Sequence, residues 1–180
     1  NIITRNARDT QGTLLSAHAG NERAGGGVRY GAKVGEDAYM KIYGRYSEHD
    51  DSQVRERAQE SADHGRLSKL GFRYDKNFTS RDRLMLQGDA FQSHAGGAAF
   101  SYPNLSASLT PVLTPPYNSE RVNSQEMSGH HILGRWERVL ENNAAMALQL
   151  YWDHHEYRSL EFGASQRVDA VDADFQYSFN

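Results

Sequence analysis

This sequence predicts an all-β fold, an antiparallel up-and-down meander of about eight strands that forms part of a transmembrane β-barrel. Three observations predict it. Apolar and polar residues alternate with period two over about eight segments of roughly ten residues each. One face of each segment is nearly free of charge at its centre, while the other is full of it. Connections alternate between long and short apart from the first, as in outer-membrane barrels with long outer loops and short inner turns.

The first segment, 11–20, places Leu15, Ala17 and Ala19 on one face, and Asn21-Glu22-Arg23 turns the chain. The second, 24–34, sets Val28, Tyr30, Ala32 and Val34 against Arg29, Gly31 and Lys33, before a turn at Gly35-Glu36-Asp37. The third, 38–47, sets Met40, Ile42, Gly44 and Tyr46 against Lys41, Tyr43 and Arg45. A charged stretch over 48–63 shows no apolar periodicity. The fourth segment, 67–74, opposes Leu70, Phe72 and Tyr74 to Lys69, Gly71 and Arg73. Residues 75–81 lead to the fifth, 82–92, where Leu84, Leu86, Gly88 and Ala90 oppose Arg83, Gln87 and Asp89.

Every proline (Pro103, Pro111, Pro115, Pro116) falls within 93–128, which reads as irregular loop; elsewhere no residue interrupts a sheet ladder in this way. The sixth segment, 129–140, sets Ile132, Gly134 and Trp136 against Leu133, Arg135 and Glu137, with Arg138 near the end of the apolar face. A turn at 141–143 leads to the seventh, 145–153, with Leu148, Leu150 and Trp152 against Gln149, Tyr151 and Asp153. The eighth, 168–179, sets Val171, Ala173, Phe175, Tyr177 and Phe179 against Asp172, Asp174, Gln176 and Ser178.

A lysine or arginine at mid-bilayer on a barrel's lipid face costs about 2–4 kcal/mol, and the centres of these apolar faces hold none. The odd connections are 21–23, 48–63, 93–128 and about 154–167; the even ones are 35–37, 75–81 and 141–144. This orientation puts Tyr46 and Trp152 at the outer interface, and Tyr74 with Phe175, Tyr177 and Phe179 at the inner one, as two aromatic girdles. A soluble β-sandwich also alternates, but its facing sides form a core of Val, Ile, Leu and Phe, whereas these sides are rich in Gly, Ala and Tyr.

Composition narrows the function classes. The mean hydropathy is −0.77, yet the chain holds 10 Tyr and 7 Phe, too many aromatics for a disordered chain. With a net charge of −3, no nucleic-acid partner is expected. No cysteine is present, which excludes thiolate metal sites, disulfides and cysteine nucleophiles. No apolar run reaches the length of a transmembrane helix, a test that alternating strands escape. No catalytic motif is found, so an enzyme is not expected; Gly25-Gly26-Gly27 reads as a flexible strand start and not a phosphate loop. Asp169, Asp172 and Asp174 lack the glycine and closing glutamate of an EF-hand.

More specific stretches carry a resemblance. Asn1-Ile2-Ile3-Thr4-Arg5-Asn6-Ala7-Arg8-Asp9-Thr10-Gln11-Gly12 resembles the junction between plug and barrel in TonB-dependent outer-membrane receptors, and Gly20-Asn21-Glu22-Arg23 resembles that family's first hairpin turn. Residues 29–39 are similar to its second strand, turn and third strand; Leu84–Asp89, Leu133–Trp136 and Asp172–Tyr177 are similar to its later strands. The family's barrel has 22 strands around an N-terminal plug. The resemblance therefore implies that residues 1–10 end the plug and link it to the wall, and that 11–180 form the N-terminal part of the barrel. The chain is expected to be a fragment, because most of the plug, the TonB box and about two thirds of the wall have no counterpart in it, and Asn180 is not the terminal aromatic of a finished barrel. It also implies import of a scarce nutrient, an iron–siderophore complex or cobalamin, across the bacterial outer membrane. The implied partners are outer-membrane lipid, the plug, TonB and a small metal chelate or cobalamin, with no cofactor of the wall itself.

Two groups of candidate residues follow. His130-His131 and His154-His155 should come opposite each other on a hairpin, with one imidazole from each strand facing the lumen beside Asp153; Tyr102 and Tyr117 lie in the Pro-containing loop. Tyr102, Tyr117, His131, Asp153 and His155 are thus the candidate ligand-binding residues. A hydrated polar rim accounts for the histidines better than a metal site, since clustered His alone rarely bind metal, and metal binding is left open. Arg29, Lys41, Arg45, Arg73, Arg135 and Asp172 are the candidate plug-docking residues of the lumen wall, among other lumen charges (Lys33, Lys69, Arg83, Glu137, Asp174). Two rival architectures remain: a complete small eight-stranded outer-membrane barrel with a structural or adhesive role, and a soluble β-sandwich binding module.

Overall fold

A computed structural model describes residues 5–54, 59–60, 62–97, 99–106, 109–111, 117–141 and 144–179. Eight long strands run antiparallel, each beside its neighbour in sequence. They are β1 (Gly12–Ala19), β2 (Arg23–Gly35), β3 (Ala38–His49), β6 (Gly65–Asn77), β7 (Asp82–Ala95), β10 (Gln125–Val139), β11 (Ala145–Ser159) and β12 (Ala164–Ser178). Two short hairpins, β4 (Gln53–Val54) with β5 (Gln59–Glu60) and β8 (Ala99–Pro103) with β9 (Asn118–Val122), decorate the two long connections. Every predicted strand is present. The expectations placed on Asn1–Thr4, Pro115, Pro116 and the Asn142-Asn143 turn lie outside the described residues.

Several boundaries are corrected. Most strands outrun the predicted segments, most of all β11 and β6: β11 continues past Asp153 through His154-His155 to Ser159, and β6 spans Gly65–Asn77 where 67–74 is expected. Residues 93–128 are not wholly irregular, since β8 and β9 pair within them. The long connection expected at 154–167 is instead a turn at 160–163, closed by Gly163 at φ 58°. Alternation fades wherever both faces are wet, but the backbone ladder continues there. A polar stretch therefore looks like loop while still pairing as strand.

A two-sheet sandwich is excluded, because all eight long strands belong to one sheet. A closed eight-stranded barrel is also absent: β1 and β12 are the two edges and do not pair with each other. Because each register is fixed, side chains sort into rows across the sheet. Tyr30, Ile42, Phe72, Gly88, Ile132, Trp152 and Val171 are successive partners in one apolar row. At mid-sheet the charges lie on the opposite face. Among the described residues no large side chain is fully buried, and the apolar row lies open, with Ile42 46%, Ile132 45% and Val171 79% exposed.

Burial is concentrated where the chain's first described residues cross the polar face. A short 3-10 turn, Arg8–Thr10, sits there, with Ala7 and Thr10 buried. Lys41 Nζ donates to the Arg5 carbonyl at 2.6 Å, and the Ala7 N–H donates to Asp75 Oδ2 at 2.7 Å. The Arg8 guanidinium lies 5.7 Å from the Tyr39 ring centroid, a cation–π contact. Gly31 allows this approach, because a Cβ there would collide with the Thr10 carbonyl. Gly31→Val is therefore expected to detach the segment at a cost of about 1–3 kcal/mol. Limited trypsinolysis should then cut at Arg5 and Arg8 several-fold faster, with far-UV circular dichroism unchanged.

Candidate functional site

The polar face holds one continuous row at mid-sheet. Arg29, Tyr43, Gly71, Asp89, His131 and Asp153 are successive register partners across β2, β3, β6, β7, β10 and β11. Asp89 is the centre of the row and is 11% exposed at its side chain. It accepts the Tyr43 hydroxyl at 3.2 Å and the Lys69 ammonium at 2.9 Å, and its other oxygen lies 3.2 Å from His131 Nδ1. Tyr43 reaches across because position 71 is glycine: a Cβ there would strike the Tyr43 ring.

The β11 end of the row is more open. His155 Nδ1 lies 3.1 Å from Asp153 Oδ2, and the His131 and Tyr151 rings are 5.8 Å apart. The sequence expectation for these residues holds at the level of geometry: His131 pairs across the strands with Asp153, and His155 contacts the same carboxylate from the same strand. The other two histidines of the pairs face the opposite way. His130 and His154 stack at 5.0 Å on the apolar side, beside Trp152, and His154 Nδ1 is 2.7 Å from Asp169 Oδ1. Among the described residues no three His, Asp or Glu side chains converge as metal ligands.

Tyr102 and Tyr117 are not shown joining this row. Tyr102 lies on β8 as the register partner of Ser119, and the carbonyl of Tyr117, just before β9, accepts the Asn104 N–H at 2.8 Å. The lumen-wall candidates divide. Lys41 holds the Arg5 carbonyl, and Arg73 makes a two-pronged pair with Asp75, both bonds at 2.8 Å. Arg135 bonds Glu137 at 2.8 Å and Gln149 at 3.2 Å. Arg29, Arg45 and Asp172 have no hydrogen bond or ion pair to a described residue. Sequence reasoning missed Asp89 as the organising carboxylate and Tyr43 as its partner. Their faces were legible, but their meeting depends on the register across β6, where Gly71 leaves the gap.

Asp89 is already engaged by three side chains. His131 uses its Nδ1 on Asp89, and His155 and Asp153 use one atom each on one another; the Nε2 atoms of the two imidazoles and Asp153 Oδ1 are the atoms left for polar recognition of a ligand. Asp89→Asn is expected to destabilise the sheet by about 1–3 kcal/mol, since it leaves the Lys69 charge without its partner. His155→Ala should cost under about 1 kcal/mol, because that group is 41% exposed. Denaturant midpoints of the two variants check the ranking. No protein-family model, curated protein or solved structure matches the chain, and its function is read from this geometry and its sequence.

Proposed function

We propose that the chain is a wall segment of a TonB-dependent outer-membrane receptor that imports an iron–siderophore complex or cobalamin. The observation that supports a membrane wall is a slanted apolar band, free of charged residues, on the open face. On β3 the band reaches up to Tyr46 before Glu48; on β6 and β7 it stops at Leu70 and Ala90; on β10, β11 and β12 it stops at Ile132, Trp152 and Val171. Its lower edge descends too. It ends above Lys76 on β6, above Asp82 and Arg138 on β7 and β10, and reaches Met146 and Tyr177 on β11 and β12. Asp82 and Arg138 pair at 3.6 Å just below it.

The band therefore crosses the hydrogen-bonded rows obliquely. It falls by about 13 Å over about 24 Å of sheet, a slope of roughly 30°. Strands in membrane barrels tilt by about 35–45° and present an apolar band about 25 Å tall. A tilted wall in a flat slab of hydrocarbon needs just such an oblique band. The area is also large, on the order of 700 Å² in projection, beyond the few hundred Å² that a monomeric soluble protein leaves open. Tyr46 and Trp152 sit at the upper edge and Phe175, Tyr177 and Phe179 at the lower, positions suited to aromatic girdles. The receptor assignment within barrels rests on the plug–wall junction resemblance of residues 1–12, and the ligand class rests on it too.

The slant gives a sharp test. Ala90, His130, His154 and Asp169 lie in one hydrogen-bonded row, yet Ala90 is inside the band and Asp169 outside it. Ala90→Arg, just inside the band's edge, should cost about 1–2 kcal/mol of folding in bilayers, between the midplane and interfacial values, and Asp169→Arg, outside it, no more than about 0–1 kcal/mol. Heat-modifiable migration of the full-length protein from outer membranes reads both. Equal costs, or a protein folded without lipid or detergent, would exclude the membrane wall. Loss of nutrient uptake on removal of TonB tests the receptor assignment separately.

A further inference from the structure

The apolar face holds a hollow of about 600 Å³, walled by Val28, Tyr30, Ile42, Leu70, Phe72 and Ile132. Sites that take small molecules run from about 300 to about 1,000 Å³. The hollow exists because three positions lack bulk: Gly44 on β3, and Gly88 and Ala90 on β7. Leu70 and Phe72, on the same face of β6, lean opposite ways. A Cβ on Gly44 would lie 3.1 Å from Leu70 Cδ2, and one on Gly88 would lie 3.1 Å from Phe72 Cε1. The hollow therefore passes obliquely between them, from Ala90 and His130 at one end to Tyr30 and Ile42 at the other.

From the Tyr30–Ile42 pair to the Ala90–His130 pair is three strands across and two residues along, about 14 Å by about 7 Å at usual sheet spacings. That line lies about 35° from the perpendicular to the band's upper edge and climbs about 13 Å toward it, close to the hydrocarbon depth of one leaflet. Ala90 is the last residue of the band on β7, so the hollow opens at the band's edge and ends inside it. Just above the opening stand Gln92 and Ser128, which are register partners, with His130 beside them. None of these three side chains hydrogen-bonds a described residue; His130 only packs on the Trp152 and His154 rings. Donors left unpaired at the edge of hydrocarbon are unfavourable unless an acceptor meets them.

We propose that the hollow holds one acyl chain of a bilayer lipid, whose ester or amide carbonyl accepts hydrogen bonds from Gln92, Ser128 and His130. The proposal rests on the membrane-wall reading and adds to it a lipid fixed at one place on the wall. An acyl chain is an apolar rod with an acceptor-only group at one end. In a bilayer that group lies where hydrocarbon meets the headgroups. The hollow matches both features in order, with apolar walls at depth and uncharged donors at the mouth. A side chain from a second copy of the protein would need neither the slant nor the donors.

The test uses the full-length protein reconstituted in phosphatidylcholine vesicles that contain phosphatidylcholine with a diazirine at the tip of one chain. Light should link the label to Tyr30 and Ile42 in preference to the rest of the band, read by mass spectrometry. Ala90→Leu narrows the mouth without adding charge and should cut that link by about fivefold. Ala173→Leu, in the same band on β12, should leave it unchanged. The pair Gln92→Ala and Ser128→Ala keeps the hollow but removes two donors; it should cut the link by about threefold, and it serves if Ala90→Leu impairs folding. Preferential labelling that falls in these variants supports the bound chain. A link that falls with Ala90→Leu alone overturns the carbonyl contact. Even labelling along the band, or a link that both variants leave unchanged, overturns the bound chain and leaves the wall reading standing, provided the barrel is heat-modifiable. A protein that takes no label on its apolar face, or forms no such barrel, overturns both.

Discussion

The hydrogen-bond register between neighbouring strands decides which medium each side chain meets. Strand side chains alternate, so the pairing that matches Tyr30 with Ile42 and Ile42 with Phe72 also puts Arg29 beside Tyr43 on the other side. A slip of one residue would send the whole apolar set of a strand to the polar face and bring its charges into the uncharged band. Only β2–β3 shows an irregularity, between Lys33 and Gly35, and it falls at the end of the pair, next to the turn at Asp37, which adopts φ 49°. The ladder is thus strict where the two surfaces differ most.

With no packed core among the described residues, the sheet is held by its ladders and by side-chain contacts, most of them polar contacts on the charged face. These contacts are graded. Asp89 gathers three donors from three different strands and ties β3, β6, β7 and β10 together. Lys41 and Asp75 tie the Arg5–Ala7 backbone to the lower half. By contrast, pairs such as Arg158 with Glu156, two residues apart on one strand and with the Arg158 side chain 56% exposed, contribute little, since solvent screens them.

The fold was largely legible in the sequence, because period-two alternation survives wherever the two faces differ in polarity. All eight long strands and the short inner turns followed from it. The ends of the strands did not. Around Ser128, from His154 to Ser159 and from Ala164 to Arg167 both faces are polar and the alternation disappears, so β10 and β12 read as starting late and β11 as ending early, and the 160–163 turn reads as a long loop. The candidate site was half legible. His131, Asp153 and His155 meet as the hairpin geometry implied, because a single tight turn fixes the register. Asp89 and Tyr43 were not picked out, because their contact spans an intervening strand and depends on a missing side chain at Gly71.

Sequential neighbours pair throughout this sheet, and that has a consequence for how fast it assembles. Most strand pairs are joined by turns so short that closing them costs little chain entropy, so hairpins can zip one after another from any starting point. The two exceptions are the β3–β6 and β7–β10 joins, which span residues 50–64 and 96–124. Relative to a four-residue turn, the longer of these adds about 2 kcal/mol of closure entropy by simple chain statistics. The β8–β9 hairpin folds part of that span back on itself and shortens the effective distance. Assembly should then divide into three rapid units, β1–β3, β6–β7 and β10–β12, whose joining sets the overall rate.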